Sequence, residues 1–206
     1  MFRIESIGSF VSKVLVASII ASASLASATT LENMQAAYNG ESNAHARYLA
    51  FAKQADKEGY GAVASLFRAA ARAEKIHATN HAAVIQELGA TPLAHVEEPS
   101  VKSTRENLEA AVKGETYERD TMYPEFLKQA RNERNARAVR SLNLAKTAET
   151  EHEKLYSAAL SGLDKLKGTK ETAYYVCPVC GFTVRQPDFA KCPSCFTPKE
   201  GFEKVA

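Results

Sequence analysis

The chain has 206 residues, 45% of them apolar and 24% charged, enough for one main domain and a small second one. Its net charge of +2 comes without any basic block, which leaves nucleic-acid binding without electrostatic support. All four cysteines fall between Cys177 and Cys195, so a disulfide framework for the whole fold is excluded in favour of a local metal site or local pairing.

Residues 1–28 stand apart. Arg3 and Lys13 precede an uncharged run, VLVASIIASASLASA, that closes on Ala26-Ser27-Ala28. This pattern predicts a secretory signal peptide over 1–28, cut after Ala28. The run is shorter than the ~20 apolar residues of a spanning helix. An exported, periplasmic protein with no stable membrane insertion after cleavage is expected.

Thr29-x-x-Glu32 is a capping box and opens a helix that runs to about residue 57. Glu58-Gly59-Tyr60-Gly61 makes a turn, and a second helix covers about 62–88. Residues 89–102 hold Pro92 and Pro99 without helical period, a connection long enough to cross between the ends of a bundle. Ser103-x-x-Glu106 repeats the capping box and opens a third helix to about residue 131. After a polar turn, a fourth helix covers about 136–166. The bundle is thus predicted over 29–167 and a cysteine tail over 168–206.

The apolar stripes carry acids. Helix one aligns Met34, Tyr38, Glu41, His45, Tyr48 and Ala52; helix two aligns Phe67, Ala70, Glu74, His77, His81 and Ile85. Helix three aligns Leu108, Ala111, Glu115, Glu118, Met122 and Phe126; helix four aligns Leu142, Ala145, Glu149, His152 and Tyr156. Such 3-4 spacing puts each set on one face. Glu41 precedes Glu74 by 33 residues and Glu115 precedes Glu149 by 34, which suggests a duplicated helix pair.

Unpaired carboxylates in a core are costly, and no lysine or arginine shares these stripes. Two divalent cations would neutralise them. Glu74-x-x-His77 and Glu149-x-x-His152, with Glu41 and Glu115 from the other helices, match the pattern of di-iron or di-manganese carboxylate bundles. Glu118 is a seventh candidate, one turn from Glu115. Tyr48 and Tyr123 are expected to donate hydrogen bonds to ligand carboxylates. His45 and His81 read as hydrogen-bonded core histidines, and His95 as solvent-facing. Without metal, the crowded carboxylates repel, so deleting Glu149 is expected to leave the metal-free protein as stable or more so.

Cys177-Pro-Val-Cys180 and Cys192-Pro-Ser-Cys195 are two knuckles able to place four sulfurs around one ion, iron or zinc. Together with Glu41, Glu74-x-x-His77, Glu115-x-x-Glu118 followed by Met122-Tyr123-Pro124, and Glu149-x-x-His152, they make residues 29–206 resemble a rubrerythrin. The resemblance implies an all-α, ferritin-like four-helix bundle followed by a small rubredoxin-like domain. It implies two irons held by Glu41, Glu74, His77, Glu115, Glu118, Glu149 and His152, with His77 and Glu118 exchanging at one iron. It implies one further iron held by Cys177, Cys180, Cys192 and Cys195. It also implies a homodimer that reduces hydrogen peroxide to water with electrons relayed from an unidentified donor through the cysteine iron. Two other functions stay open: a ferroxidase or iron-handling protein, and a redox-responsive protein with a structural zinc tail. Phe196 stands where the family has glycine, a position whose turn phenylalanine adopts at a cost.

Overall fold

The computed structural model describes residues 28–206; the signal peptide expected over 1–28 lies outside the described residues except for Ala28. Four rods form the bundle as two antiparallel hairpins. They are α1 (Thr30–Lys57), α2 (Gly61–Glu87), the α3–α4 rod, and α5 (Ala136–Ser161), which a short α6 (Leu163–Leu166) follows. Both capping boxes are present, at Thr29 with Glu32 and at Ser103 with Glu106. Residues 88–103 carry no regular element and join the two helical hairpins. Among the described residues no helix is long and apolar enough to cross a membrane.

The third rod departs from the single helix expected. It is α3 (Thr104–Tyr117), a π turn (Glu118–Met122) and α4 (Tyr123–Asn132). The Tyr123 N–H reaches back five residues to the Glu118 carbonyl, and Pro124, lacking an N–H, opens α4. A π turn inserts one residue into a helix. The fourth helix also ends earlier than expected, at Gly162.

That inserted residue explains the unequal intervals of the duplication. From Glu41 to Lys57 is 16 residues and from Glu115 to Asn132 is 17, whereas Gly61 to Glu74 and Ala136 to Glu149 are both 13. The halves match in detail. Glu58 accepts from the Thr104 N–H at 3.0 Å, and Glu133 accepts from the Thr30 N–H at 3.2 Å. Gly59 and Arg134, at matching turn positions, both have positive φ, 75° and 57°.

The tail forms a three-stranded antiparallel sheet in the order β2 (Thr183–Val184), β1 (Tyr174–Val176), β3 (Glu203–Val205). Tyr174 and Val176 belong to the same buried cluster as Phe51, Leu66 and Phe67 of the bundle. Arg72 on α2 holds Glu203 through two hydrogen bonds, 2.6 and 2.8 Å. At Gly61 any Cβ would lie 2.6 Å from the Thr169 carbonyl oxygen, so the linker lies directly on the start of α2.

Candidate metal centres

Each rod brings donors to the middle of the bundle: Glu41 from α1, Glu74 and His77 from α2, Glu115 from α3, Glu149 and His152 from α5. All are buried, at 0–1% exposure. They form two groups, Glu41/Glu74/His77/Glu149 and Glu74/Glu115/Glu149/His152, within each of which the donor atoms lie within 4.8 Å of one another. Glu74 and Glu149 belong to both groups. His77 Nδ1 lies 2.8 Å from Glu74, 3.0 Å from Glu149 and 3.7 Å from Glu41. His152 Nδ1 lies 2.9 Å from Glu149, 3.3 Å from Glu74 and 3.7 Å from Glu115. Glu118, on the π turn, is 9% exposed and outside both groups.

A ring of hydrogen bonds orients these donors. Tyr48 donates to Glu115 Oε1 at 2.6 Å, across to another helix rather than to its own. Tyr123 donates to Glu41 Oε1. In an unbroken helix Tyr123, eight residues after Glu115, would be turned about 80° away from it; the π turn absorbs the extra residue and brings it inward. The other two supports come from the tail. The Cys180 carbonyl lies 3.1 Å from His77 Nε2, and a carbonyl only accepts, so Nε2 carries the hydrogen and Nδ1 is left free toward the carboxylates. Thr183 donates to the Gly181 carbonyl at 2.8 Å, so its oxygen accepts from His152 Nε2 at 3.2 Å with the same result. Both rings are thus held in the tautomer that presents a lone pair to the site. The roles of Gly181 and Thr183 escaped sequence reasoning; only the glycine after Cys180 carried any signal. His45 bonds the Ala71 carbonyl at 2.7 Å, and His81 bonds Ser141 and Tyr123. His95 lies on the exposed connection.

The electrostatics call for cations. Glu41 Oε2, Glu74 Oε1, Glu115 Oε2, both Glu149 oxygens and His152 Nδ1 are buried without a hydrogen-bond partner. Buried polar atoms left this way fit a bound cation. Burial first, then Glu74, pushes Glu41 well above the usual carboxylate range and Glu115 up to about 8. Burial and Glu41 do the same to Glu118. Burial would lower both ligand histidines, but the carboxylates together outweigh it, Glu149 and Glu74 at His77 and Glu74, Glu115 and Glu149 at His152, so both stand well above the usual imidazole value. Burial would raise Glu74, yet His152 and His77 hold it low. Protons here occupy the positions that metal would take.

The cysteines gather 18 residues apart in sequence and together in space. Their sulfurs all lie within 4.8 Å of one another, with Cys177–Cys195 at 3.4 Å and Cys180–Cys192 at 3.6 Å. These are free thiols, too far apart for S–S bonds of about 2 Å and suitably placed around one ion. The Cys180 thiol pulls Cys177 down to about 5, and burial lifts Cys192 to about 11. Phe196 adopts φ 65° and is 72% exposed.

Comparison with known proteins agrees with this geometry. The family model described as Rubrerythrin matches residues 32–160. The chain is 40% identical over 185 residues to nigerythrin of Nitratidesulfovibrio vulgaris, covering 89% of this chain and 90% of that protein. It is 35% identical over 182 residues to Rubrerythrin-2 of Clostridium acetobutylicum, covering 87% and 98%. A structure of fully reduced, all-ferrous nigerythrin superposes with a TM-score of 0.80 at 40% identity, covering 90% of this chain and 91% of that one. A bacterioferritin of Desulfovibrio desulfuricans, 24% identical, superposes at 0.64 over 69% of this chain and 89% of its own; it shares the fold, a ferritin-like bundle. The donor sets fit the family's iron centres, two irons in the bundle and one at the cysteines. Matched by the family model over more than half its length and by relatives over nearly all of its described residues, this chain belongs to the rubrerythrin family.

Proposed function

We propose that this protein reduces hydrogen peroxide: peroxide, two protons and two electrons give two waters. The observation that carries this reading is the junction between the two centres. The first cysteine knuckle is hydrogen-bonded onto the paired site, Cys180 carbonyl to His77 Nε2 at 3.1 Å. A sulfur ligand of one centre is thereby joined, through its own backbone and one hydrogen bond, to an imidazole of the other. A protein that only stored or oxidised iron has no use for such a connection.

Glu41, Glu74, His77, Glu115, Glu149 and His152 would hold the iron pair, with Glu118 beside them, and Cys177, Cys180, Cys192 and Cys195 the single iron. Iron bound there supplies the electrons, two per peroxide from the pair and one at a time through the cysteines. The chain's own residues do the rest. Glu74 and Glu149, common to both donor groups, would hold both members of the pair. Tyr48 and Tyr123 fix the outer carboxylates. Tyr48, Phe51, Phe67 and Tyr156 pack with ring centroids 5.2–6.2 Å apart and keep water from the Glu115 side. The electron donor to the cysteine site, pairing of subunits and export directed by residues 1–28 belong to the same proposal.

The test is direct. Purified protein is expected to hold three irons per chain and, once reduced, to be oxidised by peroxide far faster than by dioxygen, with turnover when a reductant is supplied. Iron-loaded protein that ignores peroxide, or a cysteine site holding only zinc in native cells, would defeat the reading, since zinc has no redox chemistry. Export predicts an N-terminus near Thr29 on protein from the cell envelope; retained Met1 on cytoplasmic protein would refute it.

A further inference from the structure

Apart from the residue that the π turn inserts, the two halves of the bundle correspond position by position, yet they differ behind the outer carboxylates. Behind Glu41, the Tyr123 hydroxyl donates to Oε1, His81 Nε2 lies 3.2 Å from that hydroxyl, and His81 Nδ1 lies 2.8 Å from Ser141 Oγ. Tyr123 and His81 are fully buried; Ser141 is 7% exposed. Ser141 lines a surface cleft of about 160 Å³ with Asn80, Arg140 and Val179. Hydrogen bonds therefore run unbroken from the edge of the protein, through α5, α2 and α4, to a carboxylate of the paired site.

The matching positions in the other half lie 75 residues away: Tyr48 for Tyr123, Tyr156 for His81, Leu66 for Ser141. Tyr48 donates to Glu115 just as Tyr123 does to Glu41. There the likeness stops. Tyr156 packs against Tyr48 with tilted rings 5.4 Å apart, but its hydroxyl is buried without a partner. Leu66 is 1% exposed and has no polar atom to offer. Arg47 stands over the Tyr48 ring, and a guanidinium does not give up its proton. One half is sealed by aromatic rings and the other is wired to solvent. If the polar chain served only to satisfy buried groups, the sealed half shows that the fold can do without it.

We propose that Ser141, His81 and Tyr123 form a path that delivers protons from the cleft to Glu41 Oε1 for the peroxide reduction proposed above, on which this inference rests. The donor directions agree along its length. Tyr123 spends its hydrogen on the carboxylate, so its oxygen accepts from His81 Nε2–H. His81 Nδ1 then accepts from the Ser141 hydroxyl, whose oxygen accepts from water in the cleft. A shift of hydrogens along these bonds moves one proton inward without leaving a charge on Ser141, His81 or Tyr123; it leaves the His81 hydrogen on Nδ1, and the imidazole and both hydroxyls turn back before the next proton follows. Peroxide reduction breaks one O–O bond, forms two O–H bonds, and takes two electrons from the bundle irons and two protons from solvent. The path supplies those protons one at a time. Ser141 and His81 act through Tyr123 and are positioning residues.

The experiment uses full-length, iron-loaded, reduced protein mixed with hydrogen peroxide in light and heavy water. Ser141→Ala is expected to slow bundle oxidation by roughly tenfold or more and to change the solvent isotope effect, with iron content and visible spectrum as in wild type. Heteronuclear NMR of the imidazole nitrogens in the zinc-substituted full-length chain is expected to find His81 protonated on Nε2 and accepting on Nδ1. That readout holds whether or not Ser141→Ala folds normally. An active wild type with an equally fast Ser141→Ala and an equal isotope effect overturns the path alone, as does an Nδ1–H tautomer of His81. Fully loaded wild type that fails to react with peroxide overturns the path and the proposed function together.

Discussion

Two knuckle turns, alike in backbone and unlike in residue, show how much a single side chain decides. Gly181 and Phe196 follow the second cysteine of their knuckles, have φ of 74° and 65°, and donate equivalent N–H bonds to Cys177 and Cys192, both at 2.9 Å. Phe196 points into solvent, so its conformation costs only the left-handed strain. Gly181 has no such freedom: a Cβ there would lie 2.3 Å from His77 Nε2. Phe196→Gly is therefore expected to keep the cysteine site and raise stability by at most about 1 kcal/mol. Gly181→Ala should cost more than the ~1–2 kcal/mol of strain and slow electron passage from the cysteine iron to the bundle; thermal melts and rapid-mixing reduction would read both. Equal behaviour of the two variants would contradict the contact. Glu149 carries a correction. Its oxygens lie 3.0 Å from His77 Nδ1 and 2.9 Å from His152 Nδ1, so in metal-free protein it faces two imidazoles rather than only like charges. Contrary to the expectation from crowding, Glu149→Ala should lower metal-free stability by roughly 3 kcal/mol as well as abolish loading of the iron pair. A metal-free variant that melts no lower than wild type would restore the repulsion view. The stripes placed every one of these donors on an inward face from sequence alone. What the sequence could not tell was who meets whom: spacing along one helix says nothing of Tyr48 reaching Glu115, or of a tail threonine reaching His152.

At the level of elements, the helices and both capping boxes were legible because hydrophobic period and cap chemistry are local. The π turn was not, because one inserted residue leaves the stripe looking merely irregular. Its trace was nevertheless present in the unequal 33- and 34-residue intervals and in Tyr123 standing eight residues from Glu115 where Tyr48 stands seven from Glu41. Thr121 is exposed within that turn. Deleting it should convert the π turn to α-helix and leave Tyr123 in phase with Glu41, as Tyr48 already is with Glu115. The shortened protein is expected to fold with wild-type helix content and bind its bundle irons, as circular dichroism and metal analysis would show. Collapse of the bundle on losing one exposed residue would mean that the turn holds more than phase.

Taken as a whole, the molecule was expected to be a bundle with an appended tail, since the helical pattern ends near residue 167 and the cysteine knuckles follow. The structure adds that Tyr174 and Val176 complete a bundle core cluster and that the knuckle roofs the histidines. Such contacts join residues 31 and 103 apart, beyond any periodicity. One consequence is cooperative: the colour of the cysteine iron and the helical signal should be lost in one thermal transition, and two separate melts would show the tail to be independent. A second concerns pH. In metal-free protein Glu41, Glu115, Glu118, His77 and His152 all hold protons more tightly folded than unfolded, so the stability they lend is present below their unfolded values and lost as pH rises through the folded ones. For Glu115 that loss runs from 4.5 to about 8. Burial of His81, lowered from 6.5 to about 3, works oppositely at lower pH. Cys177, lowered from 9.0 to about 5, also works oppositely between those values, but it stands alone against five raised groups, so from 6.5 to about 8 the melting temperature of metal-free protein should still fall while that of iron-loaded protein stays level. A flat metal-free profile would mean that the carboxylates are already ionised.

The knuckle that covers His77 and His152 is made after the helices that it covers. Every helix of the bundle precedes it, and a nascent chain gains structure from its N-terminal end. The side of the paired site that bears the imidazoles therefore stands open until residues 180–183 arrive to close it. Loading of the pair has an early, unhindered period and a later one in which the tail must first lift away. Maturation of the two centres is in this sense a question of timing as well as affinity: whichever metal meets the open bundle first is the one the tail shuts in.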